Sequence, residues 1–244
     1  MSKKAIPEVD NFGRLKFLPA FVLGPVVSAA LGGAAAWYLY STGNTELFDR
    51  NIARLAETEQ GYTHLAAALF SFIVDWINTY PMFYKTMVMR FTSGNLRANM
   101  QIYKRAGKDA NEDGYVVLET SGPVGSYNRA NRSLTHFVEN SIPMALFIPL
   151  CGAVFPFPTF LLTALFGFGR IMHQIGYASI GYGGHGIGFA IASLAKATMQ
   201  MLCVLAADKS MQLGWAAQAV TALNDTALAP YIPFPSLGAV KVEL

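Results

Sequence analysis

Long apolar runs recur along this chain and are separated by short polar segments. A helix needs roughly 20 mostly apolar residues to cross the hydrocarbon core of a membrane. Five runs reach this length, although the second contains Asp75 and the third begins with several polar turns. They are Phe17 to Thr45, Gln60 to Tyr84, Tyr127 to Phe155, Phe157 to Ser179 and Ile187 to Ala207. The pattern predicts an all-α integral membrane protein with five spanning helices.

Residues that break helices define the boundaries between these runs. Pro156 and Pro158 predict a tight break that makes the third and fourth helices antiparallel. Ser210 to Leu223 is apolar but too short to span, so we expect an interfacial helix, and the Pro-rich tail from Ala229 is expected to be extended. The predicted organisation is an N-terminal tail (1–16), a first helix (17–45), a four-helix membrane domain (60–207) and an interfacial helix with a tail (208–244).

Composition supports a membrane location. Hydrophobic residues make up 53% of the chain and charged residues 14%, against about 25% charged residues in soluble proteins. The net charge of +3 and the lack of a dense basic run argue against a nucleic-acid partner, and the two cysteines predict no metal site. Lys and Arg residues are in excess on one side of the predicted spans, which places the loop from Arg90 to Ser126 on the cytoplasmic or an equivalent side. The organelle stays open, with the endoplasmic reticulum as one candidate.

Two stripes of polar residues lie within the predicted helices. At about 100° per residue, residues spaced three or four apart share one helical face. The third helix carries Arg129, Arg132, His136 and Glu139, and the fourth carries Arg170, His173 and Tyr177. Charged residues inside a membrane are costly and are candidates for function. Arginine pairs well with carboxylates, and Glu139 suits an amine, so the stripes would fit a small zwitterion with several carboxylates.

Structural explanations remain open for the same residues. Arg132 and Glu139 could each form an ion pair with Arg170 or Asp75. Asp75 is the one charged residue of its predicted span, which favours a structural or inter-subunit hydrogen bond. Lys196 could extend to the membrane interface or pair across helices. The glycines between 181 and 188 predict a turn, because they lack the preceding strand and the Lys-Ser/Thr ending of a phosphate-binding loop.

Two segments resemble known motifs. NRANRSLTHFVENSIP resembles the second-helix motif of the MAPEG family, the membrane-associated proteins of eicosanoid and glutathione metabolism, with Arg129, Arg132, Glu139, Asn140 and Pro143 in the matching places. FGFGRIMHQIGYAS resembles the third-helix motif, and the resemblance is strongest to the microsomal glutathione transferase branch. It covers about Tyr62 to Ala207 and implies a four-helix bundle, so that the helix from Phe17 to Thr45 is an addition.

The resemblance also implies a ligand and an assembly. It implies glutathione as cofactor, a homotrimer with sites between subunits, and apolar substrates that enter from the lipid. The residues implied in binding glutathione are Arg129, Arg132, His136, Glu139, Asn140, Arg170, His173 and Tyr177. His136 stands where the family usually has asparagine. His185 stands where it usually has the arginine that stabilises the glutathione thiolate, and a histidine supplies a cation only when protonated.

These departures leave two hypotheses. The first is a membrane-bound glutathione-dependent transferase or peroxidase acting on lipophilic electrophiles, with His185 as the residue that favours the thiolate. The second is a catalytically weak or inactive accessory subunit of a larger membrane complex, for which the extra helix and tail would serve as docking elements. A small transporter has little support, because no inverted repeat is visible.

Overall fold

The computed structural model describes residues 18–89, 100–106 and 114–224. These residues form six helices and one two-stranded sheet. The elements are α1 (Leu18–Thr42), α2 (Thr45–Glu57), α3 (Gly61–Met89), β1 (Tyr103–Ala106), β2 (Tyr115–Leu118), α4 (Gly122–Gly152), α5 (Pro156–Ile180) and α6 (Gly186–Asn224). The predicted tails (1–16 and 229–244) and part of the loop from Arg90 to Ser126 lie outside the described residues.

Helices α3, α4 and α5 pack against one another. The buried positions of α4 recur every three or four residues and form one face; they include Tyr127, Asn131, Leu134, Met144, Ile148 and Cys151. Phe70, Phe137 and Phe166 bring one aromatic ring from each helix to the centre of the bundle, with ring centroids 6.3–6.5 Å apart. The predicted break between the third and fourth helices is confirmed, because α5 begins at Pro156, where a proline costs no helical hydrogen bond.

Polar side chains inside the bundle satisfy backbone groups that the helices leave unpaired. Pro81 has no N–H, so the carbonyl of Ile77 lacks its usual partner within α3. Gln174 of α5 donates Nε2 to that carbonyl at 2.9 Å. At the end of α4, Gln60 Nε2 and Thr63 Oγ1 both donate to the carbonyl of Gly152 at 3.0 Å. Unpaired backbone groups are expensive in a low-dielectric interior, so these bonds hold α3 to its neighbours.

Helix α6 packs along a face of three small residues and one methionine. Gly188, Ala192, Ala195 and Met199 are buried and spaced four, three and four apart. Gly169 of α5 lies so close to Ala192 that an added Cβ would overlap its backbone nitrogen. Cys151 of α4 donates Sγ to the carbonyl of Met199 at 3.2 Å. The first part of α6 is therefore held by both α4 and α5.

Two features differ from the sequence-based expectations. The structure has one helix from Gly186 to Asn224, where the sequence predicted a span ending at Ala207 and a separate interfacial helix from Ser210. Asp208 and Lys209 are helix-compatible residues and do not break it. Helix α2 was not predicted. Asn44 caps it by accepting a hydrogen bond from the Leu47 amide, and its exposed Phe48 and Ile52 are spaced four apart on one face.

A β-hairpin precedes α4 and is fixed to it by two buried asparagines. Strands β1 and β2 pair antiparallel, with Tyr103 opposite Leu118. Asn128 exchanges hydrogen bonds with the backbone of Ile102 at 2.7 and 2.9 Å, and Asn131 donates to the carbonyl of Met100. The hairpin, absent from the sequence-based prediction, therefore has a defined position at the start of α4.

The charged group at the end of the hairpin is Glu119. The hydroxyl and the backbone amide of Ser121 donate to this carboxylate, and Lys104 lies 2.9 Å from it. These donors lower the pKa of Glu119 from 4.5 to about 2. Hydrogen bonds that stabilise a carboxylate lower its pKa because they favour the charged form.

By length and composition, two of the described helices contain a stretch apolar enough to cross a membrane. These stretches are Leu23–Thr42 in α1 and Gly186–Gln218 in α6. Helices α3, α4 and α5 carry more polar residues, many of which bond to the neighbouring helices as described above. Their polarity therefore reflects contacts inside the bundle.

Candidate functional site

The turn between α5 and α6 is built from glycines and presents His185. Gly181 and Gly183 have φ angles of +100° and +94°, which residues with a side chain rarely adopt. Gly176 of α5 lies against Gly184 so closely that a Cβ at Gly176 would overlap the carbonyl oxygen of Gly184. The prediction of a turn at these glycines is confirmed, and the turn brings His185 back onto α5.

Three histidines from three parts of the chain form a cluster. The ring of His173 on α5 lies 5.4 Å from that of His136 on α4 and 5.2 Å from that of His185, measured between ring centroids. His173 is buried, and its Nδ1 lies 2.9 Å from Ser133 Oγ. Tyr177 lies 5.2 Å from His185. The structure thus joins the two predicted stripes and adds His185 to them.

Arg170 is buried beneath the histidine cluster. Its Nη1 lies 3.2 Å from His136 Nδ1, and its Nη2 donates to the carbonyl of Ser133 at 3.3 Å. The guanidinium also lies 5.6 Å from the ring centre of Phe137, in cation–π contact. Its Nε is buried without a hydrogen-bond partner in the part of the chain that the structure describes. Arg170 therefore places a positive charge at the base of the site.

Arg129 contacts the protein backbone through all three guanidinium nitrogens. Nε and Nη2 donate to the carbonyls of Tyr177 and Ala178 at 3.0 Å, and Nη1 donates to that of Thr120 at 2.7 Å. Tyr177 and Ala178 belong to the last turn of α5, whose carbonyls have no partners within the helix. The Tyr177 carbonyl also accepts from the Gly181 amide that caps the helix, at 3.1 Å. A cation there also interacts favourably with the helix dipole. The predicted glutathione ligand Arg129 is thus engaged in holding the end of α5.

Arg132 and Glu139 have the opposite environment. Both side chains are exposed on α4. Among the described residues, the ion pair that forms is that of Lys104 with Glu119, so the alternative in which Arg132 or Glu139 pairs with Arg170 or Asp75 is not observed. These two charges flank His136 along one face of α4. They remain available to a ligand or to another subunit.

Asn140 links this face to α6. Lys196 Nζ donates to Asn140 Oδ1 at 2.6 Å, and Asn140 Nδ2 donates to the carbonyl of His136 at 2.8 Å. Lys196 therefore pairs across helices, which was one of its two predicted roles. The sequence pattern did not predict Lys196, Ser133 or Phe189 as site residues. Phe189 stacks on His136 at 5.8 Å, and its position one helical turn after His185 was the available signal.

The described residues contain no group of three or more His, Cys, Asp or Glu side chains that could hold a metal ion. The three histidine rings instead contact one another, Ser133 and the aromatic rings of Tyr177 and Phe189. His185 Nδ1 is buried and has no hydrogen-bond partner among the described residues. The His185 ring lies beside those of His173 and Tyr177, each 5.2 Å away between ring centroids.

Fold and site together define a membrane-associated helical protein with a charged site inside its helical bundle. The model of the MAPEG family matches residues 80–205, slightly more than half of the chain and all of the site described above. The chain therefore belongs to the MAPEG family. No curated protein and no solved structure matches it. Family membership indicates a membrane protein of the glutathione or eicosanoid metabolism type.

Proposed function

We propose that this protein is a membrane-bound, glutathione-dependent transferase or peroxidase that acts on lipophilic electrophiles. In this proposal α1, α3, α4, α5 and α6 each cross the membrane, with α3 to α6 as the family's four-helix domain and α1 as an addition. The observation that carries the proposal is that Arg132 and Glu139 are exposed on α4 next to the histidine cluster and form no ion pair with any described residue.

The unpaired groups suit the chemistry of glutathione. Glutathione carries two carboxylates, one ammonium group and one thiol. Arg132 can bind a carboxylate through two parallel N–H groups, and Glu139 can accept hydrogen bonds from the ammonium group. Arg170, with its unpartnered Nε, adds a second cation. Arg129 does not fit this role, because its nitrogens already bond to carbonyls, and we assign it to positioning α5 and Tyr177.

His185 is the candidate residue for the thiol. The thiolate is the nucleophilic form of glutathione. A neutral His185 with its proton on Nε2 presents Nδ1 as an acceptor, and this nitrogen has no hydrogen-bond partner among the described residues. It would take the thiol proton, whereas an arginine would supply a permanent positive charge instead. Tyr177, 5.2 Å from the His185 ring, would donate a hydrogen bond to the sulfur.

The exposed charges also support a homotrimer. A charged side chain that faces lipid hydrocarbon costs several kcal/mol, so Arg132 and Glu139 require a polar neighbour. A second copy of the chain against this face of α4 would cover both residues and would enclose a ligand between subunits. The inter-subunit site implied by the family resemblance is consistent with this exposure.

An accessory subunit is the alternative function, and two observations favour it. Arg129 is engaged by the backbone of α5, and His185 replaces the family's arginine, so the site holds fewer permanent cations than its relatives are expected to have. In this alternative the fold would bind glutathione weakly or not at all. The protein would then act through contacts with a larger membrane complex.

Replacement of His185 tests the proposal. We expect His185→Arg to raise both the thiolate difference absorbance and the rate with chlorodinitrobenzene above those of the native protein, because the cation becomes permanent. His185→Ala should lower both. His64→Arg is the matched control, since His64 is exposed and bonds only within its own helical turn.

The outcomes separate the two functions. Native turnover that His185→Ala abolishes supports the enzyme. An inactive native protein that gains turnover in His185→Arg supports the accessory subunit. The absence of any glutathione-dependent signal in all variants contradicts the glutathione proposal.

A further inference from the structure

A crevice between α1 and α3 lies apart from the histidine cluster. It has a volume of about 790 Å³, and its lining includes Ala29 of α1 and Phe72, Asp75, Trp76, Tyr80 and Phe83 of α3. Cavities that hold small molecules commonly measure 300–1,000 Å³ and combine apolar walls with a few polar groups. The crevice therefore has both the size and the lining of a small-molecule site.

Asp75 is the charged group of this crevice. It lies fourteen residues from both ends of α3, or about 21 Å along the helix axis, at the helix midpoint. Among the described residues, no hydrogen bond or ion pair to Asp75 is observed. A carboxylate at the centre of a membrane helix is costly unless a cation or a donor neutralises it. Asp75 therefore requires a partner that the described chain does not provide.

The walls of the crevice favour a cation as that partner. Helix α1 contains no lysine or arginine between Leu18 and Thr42, so the opposite wall cannot neutralise Asp75. The rings of Trp76 and Tyr80 are tilted with centroids 5.9 Å apart, and those of Tyr80 and Phe83 stack at 6.2 Å, so aromatic rings line one wall. Aromatic faces attract ammonium groups, and they also accommodate hydrocarbon. Carboxylate and rings together suit an amine attached to an apolar body.

The depth of Asp75 limits which amine can reach it. The hydrocarbon core of a bilayer is about 30 Å thick, so its midplane lies about 15 Å from the headgroups. The amine of a phospholipid headgroup stays at the surface and does not reach this depth. A molecule that dissolves in the bilayer can carry its own ammonium group to the crevice.

We propose that the crevice between α1 and α3 binds a lipophilic amine, whose ammonium group pairs with Asp75 and whose apolar part contacts Phe72, Trp76 and Phe83. The proposal rests on α1 and α3 crossing the membrane, but it does not depend on glutathione. Because one wall belongs to α1, the added helix creates a site that the four-helix domain lacks.

Two fluorescent probes test this site in the full-length protein reconstituted into nanodiscs without glutathione. One is a dansyl-labelled alkylamine with a free ammonium group, and the other is its N-acetylated, neutral counterpart. Binding is followed as saturable energy transfer from Trp76 to the dansyl group, and the contributions of Trp37 and Trp215 are removed by subtracting the signal of Trp76→Phe. We expect the amine to bind at least tenfold more tightly than the neutral probe.

Three variants assign this preference to the crevice. Asp75→Asn should remove the tenfold preference, because it keeps the shape and loses the charge. Glu57→Gln, which alters an exposed carboxylate on α2, should retain it. Ala29→Phe should weaken both probes, because its side chain fills the crevice from α1 without adding a tryptophan donor.

Several results would overturn the proposal. These are equal binding of both probes to the native protein, an unchanged preference in Asp75→Asn, or unchanged binding in Ala29→Phe. A fourth is dissociation of the oligomer by Asp75→Asn, in native mass spectrometry, together with no saturable transfer in the native protein. That last result would show that Asp75 pairs with another copy of the chain.

Discussion

Two sets of polar side chains on α4 differ in what they contact. Asn128 and Asn131 bond to backbone groups of the segment that leads into the hairpin, and Arg129 bonds to the end of α5. Arg132 and Glu139 are exposed and form no such bonds among the described residues. The two arginines are three residues apart and lie on the same stripe. A shared helical face therefore does not imply a shared role, because α5 ends beside Arg129 and not beside Arg132.

Arg129 and Arg132 should differ most in how much they contribute to the free energy of unfolding. Arg129→Ala would leave the carbonyl of Ala178 without a donor among the described residues, at about 1–3 kcal/mol. It would also remove one of the two donors of the Tyr177 carbonyl, which still accepts from the Gly181 amide at 3.1 Å. We expect the free energy of unfolding to fall by about 2 kcal/mol, measured by equilibrium unfolding in mixed micelles. Arg132→Ala is the matched control and should change this free energy by less than about 0.5 kcal/mol. Equal losses in both variants would remove the distinction between the two sets.

The next effect concerns ligand affinity. Arg132→Ala should weaken glutathione binding by roughly 1.5–3 kcal/mol, the scale of a hydrogen bond to a charged group. Arg132→Lys should recover only part of this loss, because lysine lacks the planar fork that binds a carboxylate at two points. Isothermal titration calorimetry on the stable variants measures the difference. Unchanged affinity in both variants would place Arg132 outside the ligand site.

The smallest expected effect is on the hairpin that Asn128 and Asn131 hold against α4. The pKa of Glu119 is lowered to about 2 in the folded protein from 4.5, so its contribution to stability is complete above about pH 4.5 and is lost as the pH falls towards 2. The contribution should stay below about 1 kcal/mol, because the group is near the surface. Protection of the Ser121 amide in hydrogen exchange should decline over this pH range. Glu119→Gln should remove that dependence, whereas Glu57→Gln on α2 should preserve it.

Much of the helical architecture could be predicted from the sequence. The long apolar runs, the break at Pro156 and the glycine turn each depend on strong local preferences, and the structure contains helices or turns at these places. Helix α2 and the hairpin were missed for a different reason. Both are short, and their amphipathic patterns extend over too few residues to stand out beside runs of twenty or more apolar residues.

The site could be predicted only as a set of residue types on two helical faces. Helical spacing placed Arg170 and His173 on one stripe, and the structure shows them together with His136. Spacing could not reveal that Arg129 meets the end of α5, since that depends on where α5 ends and how closely it packs. Lys196 and Phe189 lie on α6, so their position at the site likewise depends on how α6 packs, which helical spacing does not show.

The outer face of α4 changes character along its length. Beyond Glu139 it continues with Leu146 and Leu150, both exposed and apolar. In a helix that crosses the membrane as proposed, a hydrophobic reactant would approach the charged end of this face by lateral diffusion within the bilayer. The relevant concentration is then the mole fraction of reactant in lipid and not its bulk molarity. Added lipid that contains no reactant would slow turnover by surface dilution, even at a constant total amount of substrate.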